Sequence, residues 1–123
     1  RVTMLLAVLE RRVGLHALAQ QDVFVSSLGG VRVIEPASDL AVAIAIASSL
    51  KERPTVKGDL AIGEVGLTGE IRPVVNLAQR LHEAARVGFR RCFVAETKAP
   101  LVIEGLEVVR VRHVRDAVQR ALE

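Results

Sequence analysis

The chain has no tryptophan, no tyrosine and only three phenylalanines among its 123 residues. Half of the residues are hydrophobic, so a packed core is expected, and it must be built mainly from aliphatic side chains. The only cysteine, Cys92, excludes an internal disulfide and is typical of a reducing compartment, which predicts a cytoplasmic location. Three dispersed histidines and one cysteine have no metal-ligand spacing, so we predict no metal site in this chain.

The chain also lacks an apolar run of the ~18 residues that a membrane-spanning helix needs. The longest run, LAVAIAIASSL at 40–50, is apolar around almost its whole circumference, and we interpret it as a central buried helix. Arg1 leads directly into a helical pattern without a signal peptide, which suggests a fragment cut at a domain boundary. The length predicts a single domain over residues 1–123, with no membrane partner.

Hydrophobic periodicity divides the chain into helices and strands. Ser38 is the predicted N-cap of the second helix, Asn76 caps the third helix in a capping box with Gln79, and Gly88 ends that helix. Strands are predicted over 22–26, 31–34, 59–65, 70–74, 91–95 and 107–111, with a turn at Gly29-Gly30. Helices are predicted over 1–12 (stopped by Gly14), 39–51, 77–87 and 113–122.

Two segments of the sequence carry a family resemblance. The segment GEVGLTGEIRPVVNLAQRL at 63–81 resembles the signature of the Lon-type serine protease domain. The segment EPASDLAVAIAIASSL at 35–50, joined to GEVGLTGEIRPV, resembles more closely the C-terminal domain of the RadA/Sms family of bacterial RecA-related DNA repair proteins. The resemblance covers most of the chain. It implies an α/β (α+β) fold like the Lon proteolytic domain and ribosomal protein S5 domain 2, with a mixed sheet packed by helices.

The resemblance also locates the two positions of a protease dyad, and neither residue can do the chemistry. Lon-type proteases need a serine hydroxyl activated by a neutral lysine amine. The serine position is Ala37, which has no nucleophile, and the lysine position is Arg80, which stays protonated and cannot act as a base. We expect Arg80 to pair with a carboxylate such as Asp39. Ser38 is interpreted as a helix cap rather than as a displaced nucleophile.

The implied function is DNA repair and recombination, because RadA/Sms family members join a zinc-finger region and a RecA-like ATPase to this domain in ring-shaped hexamers. The full-length protein would be a DNA-dependent ATPase whose ATP, magnesium and zinc sites lie outside residues 1–123. The domain itself is expected to have no cofactor and no catalytic activity. Its expected contributions are assembly of the ring and a surface that contacts DNA.

Basic side chains cluster in loops and at the ends of helices and strands, where phosphate contacts require long side chains to converge. With few aromatic residues, contacts to the backbone of single-stranded or branched DNA are expected rather than base stacking. Cations at helix C-termini are also favoured by the helix dipole, which is a purely structural explanation. Two alternatives stay open: an active peptidase that uses Ser38, Ser26 or Ser27, and an oligomerisation module without DNA contact. The candidate phosphate contacts are Arg12, Lys51, Arg53, Lys57, Arg90 and Arg91.

Overall fold

The computed structural model of the chain describes residues 2–14 and 35–123. The strands predicted at 22–26 and 31–34, and the Gly29-Gly30 turn between them, lie outside the described residues. The described elements are α1 (Val2–Val8), a π-helical turn (Leu9–Val13), a 3-10 turn (Pro36–Ser38), α2 (Asp39–Lys51), β1 (Asp59–Ile62), β2 (Glu64–Val65), β3 (Ile71–Arg72), α3 (Leu77–Arg86), β4 (Arg91–Ala95), β5 (Glu107–Val111) and α4 (Val114–Leu122).

The described strands form two sheets. Strands β1, β4 and β5 make a parallel sheet in the order β1-β4-β5, while β2 and β3 pair antiparallel in a small second sheet. This arrangement confirms the predicted α/β class. The predicted strand 59–65 is divided at Gly63, because Gly63 hydrogen-bonds to the segment around the start of α2 instead of to a neighbouring strand.

Side chains of β4 alternate between two hydrophobic cores. Phe93 and Ala95 face the larger core, which they share with α1, α2 and α4. Cys92 and Val94 face a smaller core formed with α3 and the loop before β5. Because helices cover one face of the sheet and α3 covers the other, β4 is apolar over four consecutive positions, as strands buried on both faces are.

The helix ends lie near the predicted residues, but the capping groups are not always the predicted ones. Gly88 stops α3 as predicted: it has a φ of +106°, the Gly88 N–H donates to the Ala85 carbonyl and the Phe89 N–H donates to the Ala84 carbonyl. This pair of hydrogen bonds is the Schellman motif. The predicted capping box at the other end is wrong, because Asn76 lies in the left-handed region with a φ of +58° and its side chain caps no backbone group.

The buried helix predicted over 39–51 is confirmed as α2, which packs at the centre of the larger core. The helix predicted over 1–12 is α-helical only to Val8 and continues as the π-helical turn, which Gly14 ends with a φ of +82°. No helix in the described part of the chain is long and apolar enough to cross a membrane.

Candidate functional site

The start of α2 is fixed against the end of β1 by backbone hydrogen bonds. The Gly63 N–H donates to the Ala37 carbonyl, and the Leu40 N–H donates to the Gly63 carbonyl, each at a distance of 3.0 Å. A β-carbon at position 63 would lie 2.9 Å from Cγ2 of Ile71, so the close approach requires glycine. The segment around Ala37 is therefore held rigidly beside the sheet.

A buried carboxylate adds a third connection at this point. Asp39, the first residue of α2, is 2% exposed, and its Oδ2 accepts a hydrogen bond from the Val65 N–H at 3.1 Å. Ser38 occupies the predicted N-cap position of α2, but it has helical dihedral angles inside the 3-10 turn and its side chain makes no cap bond. The 3-10 turn extends the helix backwards, so the chain enters it at Glu35.

Arg80 lies on α3 and reaches back to the segment before α2. Its Nη2 is 2.7 Å from Oε1 of Glu35, and its Nε donates to the Val75 carbonyl at 3.1 Å. The predicted ion pair is thus present, but the expected partner Asp39 was wrong. Asp39 is committed to the backbone of β2, whereas Glu35 is on the surface within reach of the guanidinium.

The partner of Arg80, Glu35, lies two residues before Ala37 in the sequence. The pair is partly solvated, with 34% of the Arg80 side chain and 56% of the Glu35 side chain exposed. A guanidinium held on a carboxylate is a fixed positive charge, and it cannot take a proton from a neighbouring group. Ala37, half-buried in the 3-10 turn, provides no nucleophile.

A depression of about 380 Å³ adjoins Arg80 on α3. None of its lining side chains carries the hydroxyl, thiol or amine nucleophile of a covalent hydrolase. The lining consists of Ile62, Asn76, Gln79, Arg80 and Glu83.

Four of the six predicted phosphate-binding residues precede the amino ends of β1 and β4, and we call this end of the parallel sheet the basic edge: Lys51, Arg53, Lys57 and Arg90. Lys51 ends α2, and the loop that follows leads into β1. The Arg90 N–H donates to the Gly58 carbonyl at 2.8 Å, which places the start of β4 against the end of this loop. Arg53 also touches the end of α4, where its Nη1 donates to the Leu122 carbonyl at 3.4 Å. All four side chains belong to exposed residues.

Arg91, in contrast, is held inside the fold. Its Nε and Nη2 donate to the two carboxylate oxygens of Asp59 at 2.9 and 2.6 Å, and its guanidinium lies 4.9 Å from the centre of the Phe93 ring. The hydrogen bond with Asp59 raises the pKa of Arg91. Only 24% of the Arg91 side chain is exposed, so this arginine joins β1 to β4. Arg12 is exposed on a different element, at the end of the π-helical turn.

Two functional contacts had no signal in the sequence. Glu35 could not be recognised as the partner of Arg80, because the pairing depends on how α3 packs against the start of α2. His113 is half-buried, and its Nδ1 accepts the Arg115 N–H at 3.0 Å and caps α4. Its Nε2 lies 2.9 Å from the Thr68 carbonyl. Among the described residues, no group of three His, Cys, Asp or Glu side chains could hold a metal ion.

Comparison with known proteins places this chain in a family. The family model described as subunit ChlI of Mg-chelatase matches residues 30–98, more than half of the chain. The chain belongs to this family of α/β domains. More particularly, it is homologous to bacterial proteins named DNA repair protein RadA, which confirms the resemblance predicted from the sequence.

The similarity to these relatives extends over nearly the whole chain. The protein of Listeria monocytogenes is 44% identical over 99% of this chain, and that of Bacillus subtilis is 46% identical over 99%. The protein of Streptococcus pyogenes serotype M3 is 49% identical over 90%. The chain spans only 25% to 27% of the length of these relatives.

Proposed function

We propose that this chain is a non-catalytic Lon-protease-like domain of a RadA-type DNA repair and recombination ATPase, in which it binds DNA and assembles a ring of six copies. The observation that carries the proposal is the ion pair between Arg80 and Glu35 beside Ala37. It occupies the dyad site with a permanent charge and leaves the site without a nucleophile. The relatives' name, DNA repair protein RadA, supports the repair role.

The whole-protein activities belong to parts of such a protein outside these 123 residues. ATP hydrolysis with magnesium, and zinc binding, would be located there. This domain would act without a cofactor in the cytoplasm. Its own contribution would be a rigid surface, since the start of α2 and the strand ends are fixed by short backbone hydrogen bonds.

DNA contact is proposed for the basic edge, with Arg12 as a further contact on another element. Lysine and arginine side chains at the ends of rigid elements can converge on phosphates. The aromatic residues within the described part of the chain are half-buried or buried, so stacking on bases is not expected there. Binding should therefore be directed at the phosphate backbone and should weaken steeply with salt. Arg91 is left out because Asp59 already occupies its guanidinium.

The test compares two charge-matched double variants of the full-length protein, measured by fluorescence anisotropy with labelled single-stranded and forked DNA. Lys51→Ala with Lys57→Ala removes two charges from the basic edge, and Lys98→Ala with Arg115→Ala removes two exposed charges elsewhere. The first variant should reduce the slope of log affinity against log salt by roughly 1.4 to 1.8, since each lost phosphate contact contributes roughly 0.7 to 0.9. The second should leave the slope unchanged.

The same double variants separate DNA contact from a structural role of these cations. Lys51 lies at the C-terminus of α2, where a positive charge contributes roughly 0.3–1 kcal/mol through the helix dipole. If the first variant lowers only the stability and not the salt slope, Lys51 and Lys57 are structural and the DNA contact proposed for the basic edge is wrong.

An active peptidase is the second candidate for this site. Ser38 is the only one of its three proposed serines among the described residues, and it lies one residue after Ala37 in the 3-10 turn. Incubation with an unfolded protein substrate and an acyl-trapping reagent tests it. We expect neither cleavage nor an adduct, and cleavage abolished by Ser38→Ala would overturn the non-catalytic assignment.

A further inference from the structure

The turn between β2 and β3 holds a leucine out into solvent. Leu67 is 74% exposed, yet the turn around it is tightly bonded. The Gly66 N–H donates to the Glu70 carbonyl at 2.8 Å, and the Gly69 N–H donates to the Gly66 carbonyl at 2.9 Å. The Glu70 carboxylate accepts two further bonds, from the N–H and the hydroxyl of Thr68.

The turn is also anchored to the start of α4. The Val114 N–H donates to the Gly69 carbonyl at 2.8 Å, and Nε2 of His113 lies 2.9 Å from the Thr68 carbonyl. A β-carbon at Gly69 would lie 2.3 Å from that Nε2, so the turn and the imidazole are in close contact. A leucine presented on such a preorganised turn loses little conformational entropy when it is buried by a partner.

The chain has an apolar depression that fits one such side chain. Its volume is about 190 Å³. An apolar cavity of roughly 150 Å³ takes up benzene, and the four side-chain carbons of leucine need less room than a benzene ring. The depression is lined mainly by apolar side chains, among them Ala41, Ile44, Ala45, Leu60, Phe93 and Ala121. Its lining also includes Thr55 and Asp59, and the Asp59 carboxylate is already paired with Arg91.

The turn and the depression lie at opposite ends of α4. The turn is bonded to Val114, the first residue of that helix, whereas Ala121 in its last turn lines the depression. Seven residues of helix separate them by roughly 10 Å along the axis, and the turn is anchored, so Leu67 cannot enter the depression of its own molecule. A contact between these two different patches must join two copies head to tail, and such contacts close into a ring when the rotation between copies allows it.

We propose that Leu67 of one copy inserts into the apolar depression between α2, β1 and α4 of a second copy. This inference rests on the ring assembly of the proposed function and names the contact that would form it. The depression of the second copy then buries the exposed leucine.

Photo-crosslinking tests the contact directly in the full-length protein. Leu67 is replaced by photo-leucine, a diazirine analogue of the same size as leucine, and proteins labelled with light and heavy nitrogen are mixed before irradiation. We expect crosslinked peptides that join position 67 of a light copy to residues 41–45 or 121 of a heavy copy. The matched control is photo-leucine at Val102, which is 91% exposed on the loop beside the smaller core and should not link to these residues. Links from position 67 to other proteins, to DNA or to other surfaces overturn the proposal.

A second pair of variants measures the effect on assembly. Ala45→Glu places a charge in the depression, and Ala78→Glu places the same charge on the exposed face of α3; both alanines are exposed. Ala45→Glu should weaken association between copies by roughly tenfold or more, as loss of a buried leucine contact requires, and Ala78→Glu should not. If the parent assembles and both variants assemble equally well, this contact is wrong but ring assembly stands. If the parent is a monomer, ring assembly itself is refuted, and the contact with it.

Discussion

Substitution of Gly69 by alanine should be among the most damaging single-methyl changes in this domain. Gly69 has a φ of +86°, a conformation that costs an L-residue roughly 1–2 kcal/mol. The added β-carbon would also lie 2.3 Å from Nε2 and 2.5 Å from Cε1 of His113, so the imidazole would have to move. Two separate effects therefore act on the same position.

The size of the second effect follows from what the imidazole does. When His113 moves, α4 loses the cap on the Arg115 N–H, which is typically ~1 kcal/mol. The contact between Nε2 and the Thr68 carbonyl is lost as well, for about 1 kcal/mol. The reduced entropy of an unfolded chain without this glycine offsets roughly 0.4–1 kcal/mol. Gly69→Ala should then lower the free energy of unfolding by roughly 2–4 kcal/mol.

Gly105→Ala is the matched control, because Gly105 has a φ of +81° and nothing within 4 Å of its hypothetical β-carbon. It should cost only about 1 kcal/mol. Urea unfolding of the 123-residue chain should be followed by far-ultraviolet circular dichroism, since there is no tryptophan or tyrosine for fluorescence. The slope of the transition should be the same for both variants.

The result that would refute this reasoning is specific. In a His113→Ala background the imidazole is gone, so Gly69→Ala should then cost no more than Gly105→Ala does. If the two glycine variants are equally stable with His113 present, or if the cost of Gly69→Ala is unchanged without it, His113 does not anchor this turn.

Three further predictions concern single side chains. Glu52→Gly should raise the free energy of unfolding by about 0.5–1 kcal/mol in urea, because Glu52 ends α2 in the left-handed region with a φ of +52°. The hydrogen bond from Thr68 lowers the pKa of Glu70 in the folded chain. The ionised Glu70 carboxylate therefore stabilises the fold above the unfolded pKa of about 4.3, and this stabilisation is lost as the pH falls through the lower folded pKa. Glu70→Gln should flatten that acidic part of the stability profile. Burial raises the pKa of Cys92 to about 12, and a thiol reagent at pH 8 should label it only when the chain unfolds.

Each of these predictions has its own contrary result. Glu83→Gly, inside α3, should lose about 1 kcal/mol, so equal effects of the two Glu→Gly changes would contradict the left-handed end of α2. If Glu70→Gln changes the dependence of the unfolding free energy on acidic pH no more than the exposed control Glu104→Gln does, the hydrogen bonds to Glu70 do not stabilise the fold. Labelling of native Cys92 at the rate of the unfolded chain would contradict its burial.

The sequence predicted well what depends on local pattern. Strands β4 and β5 have the predicted bounds, 91–95 and 107–111, because short apolar runs between polar segments leave little choice of ends. The central α2 was predicted from its apolar circumference. Neither the Ser38 nor the Asn76 side chain makes the predicted cap bond, and at the start of α2 the Gly63 carbonyl accepts the Leu40 N–H.

The ion pair of Arg80 was expected from the sequence, but its partner was not. The assignment of Ala37 and Arg80 as the dyad positions stays a prediction from the family resemblance. The choice of Glu35 over Asp39 as the partner of Arg80 depends on tertiary packing. Asp39 is closer to Arg80 in the sequence than Glu35 is, but its carboxylate accepts a hydrogen bond from the Val65 N–H. No local sequence pattern indicates that direction.

The energetics of the site explain how its framework can stand without the dyad. An ion pair as exposed as Arg80 with Glu35 contributes roughly 0–1 kcal/mol, so it cannot be what holds α3 and the start of α2 in place. The start of α2 is fixed by Gly63, whose N–H and carbonyl both bond to the chain around α2, and by the buried Asp39 carboxylate, which accepts the Val65 N–H of β2. Helix α3 is held by Leu81 and Ala84, which are buried in the smaller core. These contacts use no side chain at position 37 or position 80. Ala37 contributes only its backbone carbonyl. The scaffold and the dyad chemistry are thus physically separable, and a domain with Ala37 and Arg80 can have the shape of a hydrolase while acting only through its surfaces.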